Sequence, residues 1–544
     1  MSPDARKSSL ALVVVTVMIG VLMGVLDAAI VNVAIPTISG NLGAAPDLAA
    51  WVATGYTLGM MIVMPLNGWL TARLGQKRYY LAAFGLFTAM SCLCGAAPSI
   101  ETLIVFRVLQ GLGGGALQPI ALSILLGSAP ANRRSDMVAA FSFASVAPFA
   151  LGPVVGGYLL DNTDWRMLFY FKIPLCVIGM VLAWVVLADD RVKGAAGPLP
   201  WTGLVAMSAM LACAQFVLST GQRSDWFDSE TIVLFSVLGV AAGAYFLWSQ
   251  LRAARPFVNL RIFRTLSFAV GCIITVVSGF GLYGINLVTP LFFQGPLGLG
   301  AYDTGIYLLQ GSIATAVLIP FVGPITRRID ARIVIGAGLA MFAAGAWMMG
   351  SLNADAGYWD IFIPRVLQGL ALGLLFVPLV AVTLSQIAPA FLSDATGVAT
   401  LVRYLGGNVG IAVLQVLQTR RTVAAADAMA AATTLAHPAV AGAVSALGLE
   451  RTRILLSGMI GANANVVSYL YLFRVSAILF ICTVPLLFFL PNVRAARHEP
   501  PATDVTEELV EELEEQELTP ARRPRRNRYV ATARSAAIRR TAVW

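Results

Sequence analysis

Residues 469–490 read YLYLFRVSAILFICTVPLLFFL, with one formal charge in the whole run. A segment this apolar has few ways to fold. In hydrocarbon every backbone N–H and C=O must be satisfied internally, which leaves helices and closed barrels. The run lacks the period-2 alternation of a barrel strand. As a helix it is about 33 Å long, enough to cross a hydrocarbon core of about 30 Å. A second block, LALVVVTVMIGVLMGV at 10–25, ends just before Asp27. Such blocks recur along all 544 residues, of which 58% are hydrophobic and only 12% charged. A soluble chain carries about twice that charge. The fold class read from this pattern is an all-α polytopic membrane protein.

Fourteen spans are expected, at about 10–36, 49–72, 79–99, 102–127, 138–160, 166–188, 202–220, 231–250, 267–293, 303–326, 333–352, 361–387, 395–419 and 468–490. The basic start (Arg6, Lys7) followed by an apolar run looks like a signal peptide. The run is too long and Asp27 interrupts it without a cleavage site, so it is read as the first span. With the N-terminus inside, the short inner segments through the twelfth span hold sixteen Lys and Arg, and the short outer loops hold Arg166 and Arg223. The positive-inside rule then places both termini in the cytoplasm.

The hexapeptide RVLQGL occurs at Arg107–Leu112 and again at Arg365–Leu370, an offset of 258. Asn32-x-x-x-Pro36 matches Asn286-x-x-x-Pro290, and Pro65, Gly68, Thr71 and Arg73 match Pro320, Gly323, Thr326 and Arg328. These offsets are 254 and 255, so only loop lengths drift. Spans 1–6 are thus echoed by spans 9–14, a 6+2+6 plan of the kind secondary transporters use. The expected domains are a first six-helix bundle at 1–190, two linking helices at 191–264 and a second bundle at 265–495. A charged tail, expected to be disordered by its opposed charge blocks, fills 496–544. The second bundle contains a long outer loop, 420–467, where VAAADAMAAATTLA favours helix, His437-Pro438 breaks it, and a second helical stretch is expected near Glu450.

Asp27 is the only acid well inside any expected span. A charge at that depth is expensive and marks function by default. It lies about 13 Å from the outer end of its span, and Arg107 about 8 Å from the outer end of the fourth, at 1.5 Å per residue. The two meet if the fold joins spans 1 and 4, with Gln110 one turn on. Arg365 is the repeat mate of Arg107, but the stretch aligned with Asp27 reads GLYGINLVTP and has no acid. Arg403, about eight residues into span 13, has Ser145 as its mate and is a cavity candidate that symmetry does not explain.

Five motifs stand in order at membrane spacing: LDAAIVNVAIP, GWLTARLGQKR, RVLQGLGGG, LGPVVGG and DWRMLFYFKIP. Through them the chain resembles the fourteen-helix drug:proton antiporters of the major facilitator superfamily, up to about residue 495. The resemblance implies proton-driven export of small amphipathic or toxic compounds across the inner membrane. It implies proton coupling at Asp27 with Arg107, and a substrate cavity drawing on Asn32, Gln110, Arg365 and Arg403. It assigns an inner gate to Gly68, Arg73, Gly75, Lys77 and Arg78, although the family's usual acid is replaced by Ala72. Plain positive-inside charge accounts equally for Lys77 and Arg78. The Gly152, Pro153, Gly156, Gly157 motif is typical of exporters, and helix packing alone also explains it. Where the family has a neutral asparagine this chain has Lys172, read either as snorkelling to the outer surface or as repelling cationic substrates. Gram-negative members of this type often work with a periplasmic adaptor (membrane fusion) protein and an outer-membrane channel, for which loop 420–467 is the candidate dock.

An importer of the same fold and a transport-inactive sensor or scaffold are the alternatives. No catalytic constellation, nucleotide-binding loop or metal spacing is apparent, so no enzyme activity and no cofactor is expected. The two histidines, His437 and His498, form no metal site, and the six cysteines fall in apolar blocks as bystanders. The net charge of +9 needs no nucleic-acid partner, since loop bias and the basic tail supply much of it.

Overall fold

The computed structural model describes residues 3–130, 133–188, 201–253, 256, 258–353, 356–388, 391–433, 445 and 449–491. The tail at 496–544, His437, Pro438 and His498 lie outside them, as do the side chains of Asn32 and Pro153. Among the described residues there is no strand. The helices are α1 (Pro3–Asn41), α2 (Pro46–Val63), α3 (Asn67–Leu74), α4 (Gln76–Gly95), α5 (Ile100–Ser128), α6 (Arg134–Asn162), α7 (Met167–Tyr170), α8 (Ile173–Val186) and α9 (Trp201–Thr220). They continue with α10 (Glu230–Arg252), α11 (Leu266–Gly279), α12 (Asn286–Gln294), α13 (Ala301–Arg328), α14 (Ala331–Met349), α15 (Tyr358–Thr383), α16 (Leu392–Ala432) and α17 (Leu449–Thr483).

Local chemistry sets several of these ends. Ser99 and Thr102 form a reciprocal capping box at the start of α5. Asp330 accepts from the Arg332 N–H at 3.0 Å and caps α14. Gly75 turns the chain between α3 and α4 at φ +80°, a conformation that favours glycine. Between α11 and α12 the backbone widens into a π-helical stretch, Phe280–Ile285.

Eleven of the described helical segments are long and apolar enough to cross a membrane. The stretches expected as spans 2, 3 and 5 are helical (α2–α3, α4 and α6) but fall outside that set. Helices α2 and α4 have their apolar character diluted by buried Tyr56, Tyr79 and Tyr80, by Gly and Thr, and in α4 by Lys77 and Arg78 at its start.

Two apolar cores organise the chain. One is built mainly from α1–α8, and the other from α11, α12, α14, α15 and α17. The repeated hexapeptide has the same task in each. A methyl at Gly111 would overlap the Tyr56 carbonyl of α2, and one at Gly369 would overlap the Gly311 carbonyl of α13. Each glycine therefore lets two backbones cross in contact. That crossing holds the arginine four residues earlier at a fixed height inside its bundle.

The expected outer loop is largely helix. Helix α16 runs 41 residues and α17 35. At 1.5 Å per residue they measure about 61 and 52 Å, roughly twice a hydrocarbon core. They pack on each other, and the Thr422 hydroxyl donates to Ser468 Oγ at 2.9 Å. The helical stretch expected near Glu450 is thus the start of α17.

Candidate functional site

Asp27 sits on α1, whose neighbours are α2, α5, α6 and α8. Its side chain is fully enclosed and is held by two cations, Arg107 from α5 and Lys172 from the junction of α7 and α8. Arg107 Nη1 also donates to Gln110 Oε1 at 2.7 Å, and Arg107 Nε donates to the Val52 carbonyl at 3.0 Å. Gln110 Nε2 donates to Asp27 Oδ1 at 3.5 Å, a long contact. The guanidinium lies 4.2 Å from the centroid of the Tyr56 ring, whose hydroxyl donates to the Gly24 carbonyl at 2.7 Å. Lys172 Nζ lies 5.2 Å from the Phe169 ring centroid and 5.5 Å from that of Phe87.

The expected meeting of Asp27, Arg107 and Gln110 is thus formed. The reading of Lys172 is corrected. It neither snorkels nor faces an open cavity, because its side chain is 1% exposed and its ammonium ends on Asp27. Lys172 lies at the junction of α7 and α8, where the backbone keeps right-handed helical dihedrals. A depth argument would have found it: Lys172 lies six residues into its expected span, about 9 Å by helical rise, between Arg107 and Asp27. Tyr56 gave no such signal, since a tyrosine among apolar residues looks like ordinary core.

The second half repeats part of this arrangement. Arg365 Nη1 donates to Gln368 Oε1 at 2.9 Å, as Arg107 does to Gln110. Its position opposite Asp27 is Gly281 by the 254-residue offset of Asn32 and Asn286. Arg403 is buried in the seam between the halves. Its Nη2 donates to Gln118 Oε1 at 2.9 Å, and Gln118 Nε2 donates to the Tyr404 hydroxyl at 2.8 Å, tying α16 to α5.

That seam continues at the end of the bundle bearing the basic turn. Asn67 Nδ2 donates to the Ser393 carbonyl at 3.0 Å and to its hydroxyl at 2.9 Å, and Ser393 Oγ donates to Thr71 Oγ1 at 3.1 Å. Ser123 and Thr396 hydroxyls lie 3.1 Å apart. Gly68 faces the Asp394 carboxylate so closely that a methyl there would overlap it. Arg73 and Arg78 are exposed and Lys77 is half-buried, and Arg73 stacks 5.4 Å from the Trp69 ring centroid. In the Gly152 motif the tight contact is at Gly152, against Ala29 of α1. Gly156 meets Ile30 at ordinary distance, and Gly157 faces open space.

All six cysteines are free, and no cluster of metal-binding side chains occurs among the described residues.

Residues 17–411 match the Major Facilitator Superfamily. The chain is 32% identical over 420 residues to the fatty acid resistance protein FarB of Neisseria gonorrhoeae, covering 77% of this chain and 83% of that one. It is 31% identical over 409 residues to the multidrug export protein EmrB of Haemophilus influenzae, covering 75% and 80%. In fold it is similar to the human organic anion transporter MFSD10, with a TM-score of 0.57 at 14% identity over 90% of this chain and all of that one. The proton:xylose symporter XylE gives 0.59, also at 14%, over 90% and 97%. With a family match over most of its length and relatives of this identity, the chain belongs to the Major Facilitator Superfamily and is related within it to the EmrB multidrug export proteins.

Proposed function

We propose that this protein is a proton-driven exporter of small amphipathic molecules across the cytoplasmic membrane, with fourteen spans arranged 6+2+6 and both termini inside. The observation that carries the reading is one enclosed acid, Asp27, clasped by cations from two other helices. Ionised, the carboxylate draws α5 and the α7–α8 turn onto α1. Protonated, it no longer offsets either cation, and the clasp loosens. Each protonation state therefore favours a different packing of the first bundle, and that differential couples a proton to a conformational change. The seam at Gly68 and Ser393 is the cytoplasmic gate of this scheme, closed in the state described. The name of the EmrB relative supports the export direction.

The test uses everted membrane vesicles from cells overproducing the protein. Energised vesicles are expected to accumulate a fluorescent amphipathic dye, and an uncoupler is expected to abolish the accumulation. Accumulation only in right-side-out vesicles would identify an importer, and none in either would identify a sensor or scaffold.

In this reading the α16–α17 hairpin projects beyond the outer face of the membrane. Its length, together with exposed Ile454, Leu455 and Met459, supports docking of a periplasmic adaptor protein, and through it an outer-membrane channel. Deleting 424–462 is expected to leave the membrane abundance of the protein intact and to lower resistance of whole cells, while vesicle uptake persists. Unchanged resistance in the deletion strain would remove the hairpin from the export path.

A further inference from the structure

The two helices between the bundles pack unequally. Helix α10 lies on α9 and turns Leu234, Val237 and Val240 outward, as a lipid-facing helix does. Helix α9 instead touches both α2 and α16. It carries one amide side chain, Gln215, which is buried. A polar group within a span is costly unless it finds a partner. Gln215 Oε1 accepts from Asn408 Nδ2 of α16 at 2.6 Å, and the same Nδ2 lies 3.3 Å from Met61 Sδ of α2. Helices from the first bundle, the linker and the second bundle therefore meet at Asn408.

The attachments of α9 differ in kind. Phe216, the next residue, stacks on Trp51 of α2 at 6.0 Å between ring centroids and lies 4.4 Å from the Phe235 ring of α10. On the other side the polar link to α16 is a hydrogen bond between two neutral amides, and such bonds between membrane helices are individually weak. The place of this link along α16 matters. The contacts of α16 with the first bundle described above run from Ser393 to Tyr404, and Gly397 adds to them, since a methyl there would overlap the Met64 carbonyl. Asn408 lies one turn further on. Here α9 and the Gly221–Ser224 turn that follows it pack on α16. Helix α9 thus covers the flank of the seam where those direct contacts end.

We propose that α9 is a moving side wall of the translocation path. It travels with the first bundle, and the Gln215–Asn408 hydrogen bond is a releasable seat that closes the flank between α2 and α16 in the state described and lets go when the halves rock. The linking helices then take part in the transport cycle rather than merely joining the bundles. This rests on the export reading for the existence of such a cycle.

The test is the distance between helices, measured apart from transport. Nitroxide labels are placed on the full chain in a cysteine-free background, in phosphatidylcholine nanodiscs. The pairs use exposed positions: Val205→Cys on α9 with Leu48→Cys on α2, and Val205→Cys with Val413→Cys on α16. The α9–α2 pair is expected to give one narrow distance, and the α9–α16 pair two. Gln215→Leu is expected to raise the share of the longer α9–α16 distance about fivefold, the scale of one neutral hydrogen bond, with the α9–α2 distance unmoved. A single α9–α16 distance that Gln215→Leu leaves in place overturns the proposal, and so does an α9–α2 distance that shifts as much. If Gln215→Leu does not fold, the number of α9–α16 distances in the unaltered chain decides. In everted vesicles, bridging Gln215→Cys to Asn408→Cys with a cleavable bifunctional thiol reagent is expected to stop uncoupler-sensitive uptake, and cleavage to restore it. Bridged protein that still transports overturns the release of the seat. Two α9–α16 distances in a chain with no uncoupler-sensitive uptake would refute the export reading and leave the moving wall standing.

Discussion

Asp27→Asn is expected to abolish uncoupler-sensitive dye accumulation in energised vesicles, and also to lower the amount of folded protein. The first effect follows because asparagine cannot exchange a proton, and Asp27 is the acid among the described residues that is fully enclosed and clasped by buried cations. The second follows from the partners. Asp27 offsets both Arg107 and Lys172, and removing one member of a buried ion pair typically costs about 3–5 kcal/mol because a charge is left uncompensated. A double variant, Asp27→Asn with Lys172→Met, removes one of the stranded cations. It is expected to recover much of the lost protein, as read by membrane abundance and thermal stability in detergent, and to remain inactive. Transport against a gradient by either variant would dispose of Asp27 as the coupling acid. A double variant no more abundant than the single one would show that Lys172 is not held by that carboxylate.

Gly68→Leu is expected to cost nearly all transport while leaving the protein inserted and abundant. In the closed seam a side chain at 68 falls on the Asp394 carboxylate and close to its backbone. Overpacking of this kind typically costs about 1–3 kcal/mol. Here it falls only on the state in which the halves meet, so the cost shifts the conformational equilibrium by roughly ten- to a hundredfold against closure. Cysteine accessibility at Ser393→Cys in a cysteine-free background reads this directly. Labelling by a membrane-impermeant maleimide from the cytoplasmic side should rise sharply when Gly68→Leu is added. Unchanged labelling, or full transport, would mean that this contact does not gate. The same geometry bears on Ala72. With the usual acid absent there, the carboxylate at this seam comes from the opposite half, at Asp394.

The membrane class, the repeat and the depth of the charged groups were legible in the sequence, because helical rise is constant and hydrocarbon excludes charge. Asp27, Arg107 and Gln110 could be matched in height from residue counts alone, and the second arginine could be seen to lack an acid. Which way each side chain turns was decided only by packing. Lys172 reads from the sequence as able to snorkel, yet in the fold its ammonium ends on Asp27. Gly152 meets α1 more tightly than Gly156 does, because the rotation of α6 brings it onto Ala29. The pairing of Asn67 and Gly68 with Ser393 and Asp394 joins residues 326 apart in sequence, as between Asn67 and Ser393. No local pattern encodes the register between two bundles packed against each other. The surroundings of Arg365 are likewise tertiary. The absence of an acid at Gly281 is visible in the sequence, but only the fold shows the stacked Phe342 and Phe480 filling the space a side chain there would need.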